Sequence, residues 1–102
     1  NFEYEQIKWE PKDWELDDVK KCLSSVIVEF QSTNIWEVEM IEHTLRNLAE
    51  TLNVKSGQLF SVLRFAVTGR SASPPLFQML SVFGKLRTIS RLKNALKLIN
   101  SS

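Results

Sequence analysis

Apolar side chains recur along this chain at intervals of three and four, the spacing of a helix with one buried face. Leu16, Val19, Leu23, Val26 and Phe30 form the first such stripe, and Asp17 and Asp18 fall in its first turn, where carboxylates favour the positive end of a helix. The run Gln31-Ser32-Thr33-Asn34 interrupts the pattern. A second stripe follows through Val38, Ile41, Leu45, Leu48 and Leu52, and Asn34-x-x-Glu37 has the spacing of a capping box at its start. After a turn over 53–57, Leu59, Phe60, Leu63, Ala66 and Val67 predict a third helix ending at Gly69. Ser73-Pro74-Pro75 then reads as a helix start, with Ser73 as N-cap and proline in the first turn of a helix over 74–83. Gly84 separates it from a last helix carrying Leu86, Ile89, Leu92, Leu96 and Ile99.

Strand-like alternation occurs only at 2–7, too short and isolated to build a sheet. The pattern therefore predicts an all-α fold, a compact bundle of about five helices with short connections. Residues 1–15 show no sustained period and read as an irregular lead-in from an upstream domain, with the helical domain over 16–102. Trp9 and Trp14 are expected to pack against that upstream domain. Trp36, Phe65, Phe77 and Phe83 fall at helical spacing and read as core. A start at Asn1, without Met, fits a piece of a longer polypeptide.

Composition adds limits. At 102 residues and 43% apolar, the chain suits one domain with a modest core. The single Cys22 excludes an intrachain disulfide, and with the single His43 it leaves too few soft ligands for a zinc site. No apolar run has the length of a membrane helix.

Charge is more informative. The last 52 residues hold eight Lys or Arg and no acid; the first 50 hold five basic and all twelve acidic residues. The overall +1 thus conceals +8 against −7 (five minus twelve). A basic, apolar-rich half is suited to a polyanion, with nucleic acid as the first candidate.

Catalytic readings fail. Gly69-Arg70-Ser71-Ala72-Ser73 lacks the second glycine and the preceding strand of a nucleophile elbow. Glycines at 57, 69 and 84 match neither a dinucleotide fingerprint nor a P-loop. His43 has no nucleophile partner in sequence and reads as a surface or half-buried histidine. The pairs Asp17-Asp18 and Glu37-x-Glu39 read as helix-start charges.

The segment 63–77 carries the functional inference. A helix delivers Arg64, Gly69 permits a left-handed turn, Arg70 extends from the loop, and Ser73-Pro74-Pro75 opens the next helix. Two guanidinium groups and a helix N-terminus would then converge above an apolar floor of Pro74, Leu76 and Phe77. Such a pocket suits an unstacked base. The bland alternative for Arg64 is a salt bridge to the acidic half. For the basic residues of the last helix, Lys85, Arg87, Arg91, Lys93 and Lys97, a solvated face is the simpler reading, with phosphate attraction as a diffuse addition.

The run Leu63-Arg64-x-Ala66-Val67-Thr68-Gly69-Arg70-x-x-Ser73-Pro74-Pro75-Leu76-Phe77, then Leu80, Gly84-Lys85 and Arg91-Leu92, resembles the C-terminal anticodon-binding domain of bacterial and organellar glutamyl-tRNA synthetases. Upstream, Ile35-Trp36, Leu45-Arg46-x-Leu48-Ala49-Glu50 and Lys55-Ser56-Gly57-x-Leu59-Phe60 are similar to the same family. The resemblance is strong over 36–92 and loose before it. It implies the anticodon-binding helical domain of a class I aminoacyl-tRNA synthetase, reading the first and middle anticodon bases for a glutamate–tRNA ligase. Carried over residue by residue, it implies base contacts at Arg64, Ser73, Pro74 and Leu76, with Arg70 beside them. Lys55, Lys85, Arg87 and Arg91 are candidate phosphate contacts. The class I catalytic signatures are absent, so the resemblance places ATP, magnesium and catalysis in other parts of the parent, and no cofactor in this chain. It further implies a tRNA partner (the glutamate isoacceptor, with the glutamine isoacceptor left open), a monomer, no membrane, and a cytoplasmic location, or an organellar matrix. The rival readings are a helical protein–protein module with a basic surface and, less well supported, a helix-turn-helix DNA binder, whose second helix would have few polar residues free for base edges.

Overall fold

The first helix, α1 (Leu16–Ser32), buries Val19, Cys22, Leu23, Val26, Ile27 and Phe30, the stripe its spacing predicts plus two intervening positions. The protein is described here by a computed structural model that covers residues 14–69 and 75–100. Asp18 does more than add charge to the first turn: its carboxylate accepts the Glu15 N–H at 2.8 Å, which satisfies the backbone just outside the helix. At the far end, Thr33 leaves the helix with its N–H on the Phe30 carbonyl and its hydroxyl donating to Glu29 O. Buried Cys22 packs as a small hydrophobe. Burial pushes its thiol pKa up, and nearby Asp18 adds to the shift while Lys21 opposes it.

Helix α2 (Val38–Leu52) buries Ile41, Leu45, Leu48 and Ala49. Its N-cap is Glu37, whose carbonyl accepts the Ile41 N–H at 2.9 Å. The expected Asn34–Glu37 capping box is therefore absent, because Asn34 lies three residues too early to be the cap. The helix closes on Asn53 in the left-handed conformation (φ 59°, ψ 44°), with the Val54 N–H reaching back to Ala49 O. Asparagine tolerates that conformation better than other side-chain-bearing residues. Helix α3 (Ser56–Thr68) follows at once and ends at Gly69 with φ 75°, as the sequence predicts.

Helix α4 (Leu76–Phe83) starts two residues later than expected. Pro75 stays extended (φ −50°, ψ 131°) as the N-cap and its carbonyl accepts the Met79 N–H, so this proline precedes the helix instead of filling its first turn. The expected N-cap Ser73, with Pro74, lies outside the described residues, as does the short alternating run at 2–7.

Between α4 and α5 (Lys85–Asn100) stands a single residue, Gly84, at φ 87° and ψ 156°. That region is open essentially to glycine alone. A Cβ there would meet nothing within 4 Å, so the cost of a substitution is purely conformational. Gly84→Ala is expected to destabilise the domain by about 1–3 kcal/mol in urea unfolding. An unchanged midpoint would mean the elbow relaxes freely.

Helix α5 buries Thr88, Ile89, Leu92, Ala95 and Ile99. Leu86, expected on that stripe, is instead 83% exposed. The small residues Thr88 and Ala95 occupy the core side, which rotates the buried face away from Leu86. The helices pack around one core, α1 chiefly on α5, α2 on α4, and α3 on α5 and α2. Trp36, Phe77 and Phe83 pack against this core, and Phe65 is buried. Trp14 also packs on it, and its indole N–H donates to Gln58 Oε1 at 3.1 Å. Trp14, expected to face an upstream domain, is thus already partly engaged by this bundle; Trp9 lies outside the described residues. Among the described helices, none is long and apolar enough to cross a membrane.

Candidate nucleic-acid interface

With Leu59, Val62, Leu63, Phe65, Ala66 and Val67 turned inward, α3 shows the outside a narrow face formed by Gly57, Phe60, Ser61, Arg64 and Thr68. Arg64 is half-buried on that face, and its carbonyl accepts the Thr68 hydroxyl at 2.6 Å. No carboxylate among the described residues forms an ion pair with its guanidinium. The bland salt-bridge reading of Arg64 thus finds no support there. Arg46 Nε pairs with Glu42 Oε2 at 2.8 Å, an exposed i,i+4 ion pair within α2.

One turn before Arg64 stands Phe60, and around it the structure assembles a feature the sequence reading missed. The Phe60 ring meets Phe77 of α4 edge to face at 5.1 Å, while the Arg46 guanidinium lies over its face at 5.4 Å. Three helices therefore contribute to one ladder, Arg46–Phe60–Phe77, beside Arg64. The residues are 14 to 31 positions apart in sequence, so only the topology brings them together. Cation–aromatic stacks of this kind are surfaces on which nucleic-acid bases can also stack.

The other expected site residues divide into three groups. Arg70, Ser73 and Pro74 lie outside the described residues. Leu76 is only 2% exposed and belongs to the core, so an expected base contact through its side chain is not available in this geometry. Its burial follows from its place as the first residue of α4, turned toward the core.

The candidate phosphate contacts divide as well. Lys55 is exposed at the N-cap of α3, where no acidic residue occupies the first turn, and Arg87 is exposed on α5. Lys85 and Arg91 are engaged inside the molecule. Lys85 Nζ donates to Thr33 O at 2.7 Å and Gln31 O at 3.3 Å, at the carboxyl end of α1. Arg91 Nη1 donates to Val67 O at 3.0 Å in the last turn of α3, and its guanidinium lies 4.8 Å from the Phe83 ring centroid. Neither α1 nor α3 has a basic residue in its own last turn. Both cations of α5 supply that charge from across the bundle, at the negative ends of the helix dipoles. For these two, the structure shows an intramolecular engagement that the sequence alone does not suggest. Lys85→Met is accordingly expected to cost about 1–2 kcal/mol of stability, seen as a lower urea midpoint. It should leave the salt dependence of nucleic-acid binding as it was.

His43 is exposed, with Nε2 3.0 Å from Asn47 Nδ2. Among the described residues no group of His, Cys, Asp and Glu could hold a metal ion.

The architecture is the all-α bundle found as the anticodon-binding part of class I aminoacyl-tRNA synthetases. The chain belongs to the anticodon binding domain family, whose model matches residues 1–96. It is similar to a glutamate–tRNA ligase of Roseiflexus castenholzii, with 38% identity over 89 residues, covering 87% of this chain and 18% of that protein. A glutamate–tRNA ligase of Roseiflexus sp. is 50% identical over 60 residues, covering 59% of this chain and 12% of the relative. A glutamate–tRNA ligase 2 of Thermosipho melanesiensis is 34% identical over 96 residues, covering 94% and 20%. The chain spans a fifth or less of the length of these relatives. Among solved structures, a glutamate tRNA ligase from Elizabethkingia meningosepticum superposes with a TM-score of 0.69 over 86% of this chain and 19% of its own, at 22% identity, a likeness of fold.

Proposed function

We propose that this domain reads the first and middle bases of a tRNA anticodon, so that a parent glutamate–tRNA ligase attaches glutamate to the correct tRNA. The observation that carries this reading is Arg64: half-buried, without an acidic partner among the described residues, and one turn from the Phe60–Phe77 ring pair. A guanidinium so placed can donate to a base edge while the rings and Arg46 offer stacking surface. Family membership and the similarity to glutamate–tRNA ligases support the same assignment. On this reading Arg70, Ser73 and Pro74 complete the base-reading segment, and Lys55 and Arg87 attract phosphates without selecting sequence. The parent acts as a monomer in a bacterial-type cytoplasm or an organellar matrix, on the glutamate isoacceptor, with the glutamine isoacceptor as a second substrate to test. ATP and magnesium serve the catalytic part of the parent, and this chain performs no step with them.

One feature favours a second reading, a protein–protein module: Val82 and Leu86, on either side of Gly84, are 86% and 83% exposed. An NMR titration of the labelled chain with a glutamate-tRNA anticodon stem-loop, and with the same loop altered at its middle base, separates the two. Anticodon reading predicts shifts at Arg64, Phe60, Phe77 and 70–76 with the correct loop only. Equal, weak shifts spread along α5 with both loops would contradict it and leave a basic helical bundle, whereas no shifts with either loop would favour the protein–protein reading.

A further inference from the structure

We propose that Arg91 is a positioning residue for the base-reading face, acting through the α3–α4 geometry and not through RNA. The inference rests on the anticodon-reading assignment above.

Helices α3 and α4 carry Arg64 and the Phe60–Phe77 ring pair, yet each packs chiefly on other helices, α3 on α5 and α2, α4 on α2 and α5. Two ties among the described residues bear on their relation. The first is direct, the Phe60–Phe77 ring contact at the start of α4. The second runs through Arg91. One nitrogen of its guanidinium donates to the Val67 carbonyl in the last turn of α3, and the guanidinium carbon lies 4.8 Å from the ring centroid of Phe83, the last residue of α4. A single side chain from α5 thus fixes the ends of both helices. Arg64 sits between the ties, one turn after Phe60 and one turn before Val67 and Thr68, so a shift of the α3 terminus would move its guanidinium relative to the rings.

Arginine suits this position better than lysine. A planar guanidinium can donate in its plane to Val67 O while its face covers an aromatic ring; an ammonium has no such face. Its charge already meets the carboxyl end of α3, which has no basic residue of its own in the last turn. A residue engaged this way should influence which base is preferred without adding to the count of phosphates neutralised.

The test uses the 102-residue chain and its Arg91→Lys, Arg91→Gln and Phe83→Leu variants. Affinities for the glutamate-tRNA anticodon stem-loop and its middle-base variant are measured over a series of salt concentrations. The temperature is one at which circular dichroism shows each protein folded. Positioning predicts that Arg91→Lys and Arg91→Gln both reduce the ratio of the two affinities by about three- to tenfold, with an unchanged slope of log affinity against log salt. Phe83→Leu, which removes no charge, should lower the same ratio, and the double variant should lose less than the product of the single losses.

A slope reduced by about 0.7–0.9 in Arg91→Gln and retained in Arg91→Lys would make Arg91 a phosphate contact and overturn the proposal. An unchanged ratio in every folded variant would overturn it too, leaving Arg91 a matter of stability alone. An unsubstituted 102-residue chain that binds both loops equally would overturn the anticodon reading itself, and this proposal with it. That result is distinguishable because it appears before any substitution is made.

Discussion

Phe30→Ala is expected to destabilise the domain by about 3–5 kcal/mol, the range for truncating a buried aromatic side chain. Phe30 is 1% exposed near the carboxyl end of α1. Its ring meets Trp36 edge to face at 4.9 Å, and the Trp36 indole N–H donates to Leu80 O at 2.9 Å in α4. Truncation would leave a cavity and also loosen the segment that joins α1 to α2. Against a total stability of about 5–15 kcal/mol for a domain of this kind, the loss approaches global unfolding. Val28→Ala, two residues earlier but 59% exposed, should stay within about 0.5 kcal/mol. Urea midpoints of the two variants check the contrast. Similar midpoints would mean that Phe30 is not the buried anchor described.

Arg64→Ala is expected to weaken binding of the cognate stem-loop by about 1–3 kcal/mol and to blur the preference for its middle base. Lys93→Ala, on the exposed side of α5, should reduce the salt dependence and leave that preference intact. The reasoning is geometric. Arg64 stands one turn from Phe60, beside the Phe60–Phe77 rings, without an acidic partner among the described residues. Its half-exposed position makes the fold insensitive to the change, to within about 0.5 kcal/mol. Filter-binding or anisotropy titrations with both loops give the two quantities separately. Equal losses of affinity from both substitutions, with preference unchanged, would remove Arg64 from base reading.

The helices were legible because their stripes are long and regular: Val19, Leu23, Val26 and Phe30 on α1, or Ile41, Leu45 and Leu48 on α2, are all buried as their spacing predicts. Gly69 was legible for a different reason, since a helix ending in glycine needs little context. Termini governed by competition between neighbours were harder. Asn34 has the chemistry of a cap but not the position, and Pro75 precedes its helix instead of entering it. Leu86 shows that size alone misplaces a stripe when Thr88 and Ala95 take the inner side.

Of the candidate site, Arg64 could be read from charge in an apolar helix. The ladder through Arg46, Phe60 and Phe77 could not, because three separate helices must meet to form it. Lys85 and Arg91 were legible as cations but not as caps, since their acceptors are backbone carbonyls 52 and 24 residues away. A signal for them existed in the lack of any basic residue in the last turns of α1 and α3, which leaves those carboxyl ends to be satisfied from elsewhere.

The measurement that tests the central claim most directly is the ratio of affinities of the unaltered chain for the glutamate-tRNA anticodon stem-loop and its middle-base variant, at one fixed salt concentration. Base reading predicts a ratio of about five or more, in line with the 1–3 kcal/mol of one well-placed base contact. A ratio of one, with both affinities falling equally as salt rises, would contradict it and leave a basic helical bundle that binds RNA by charge alone.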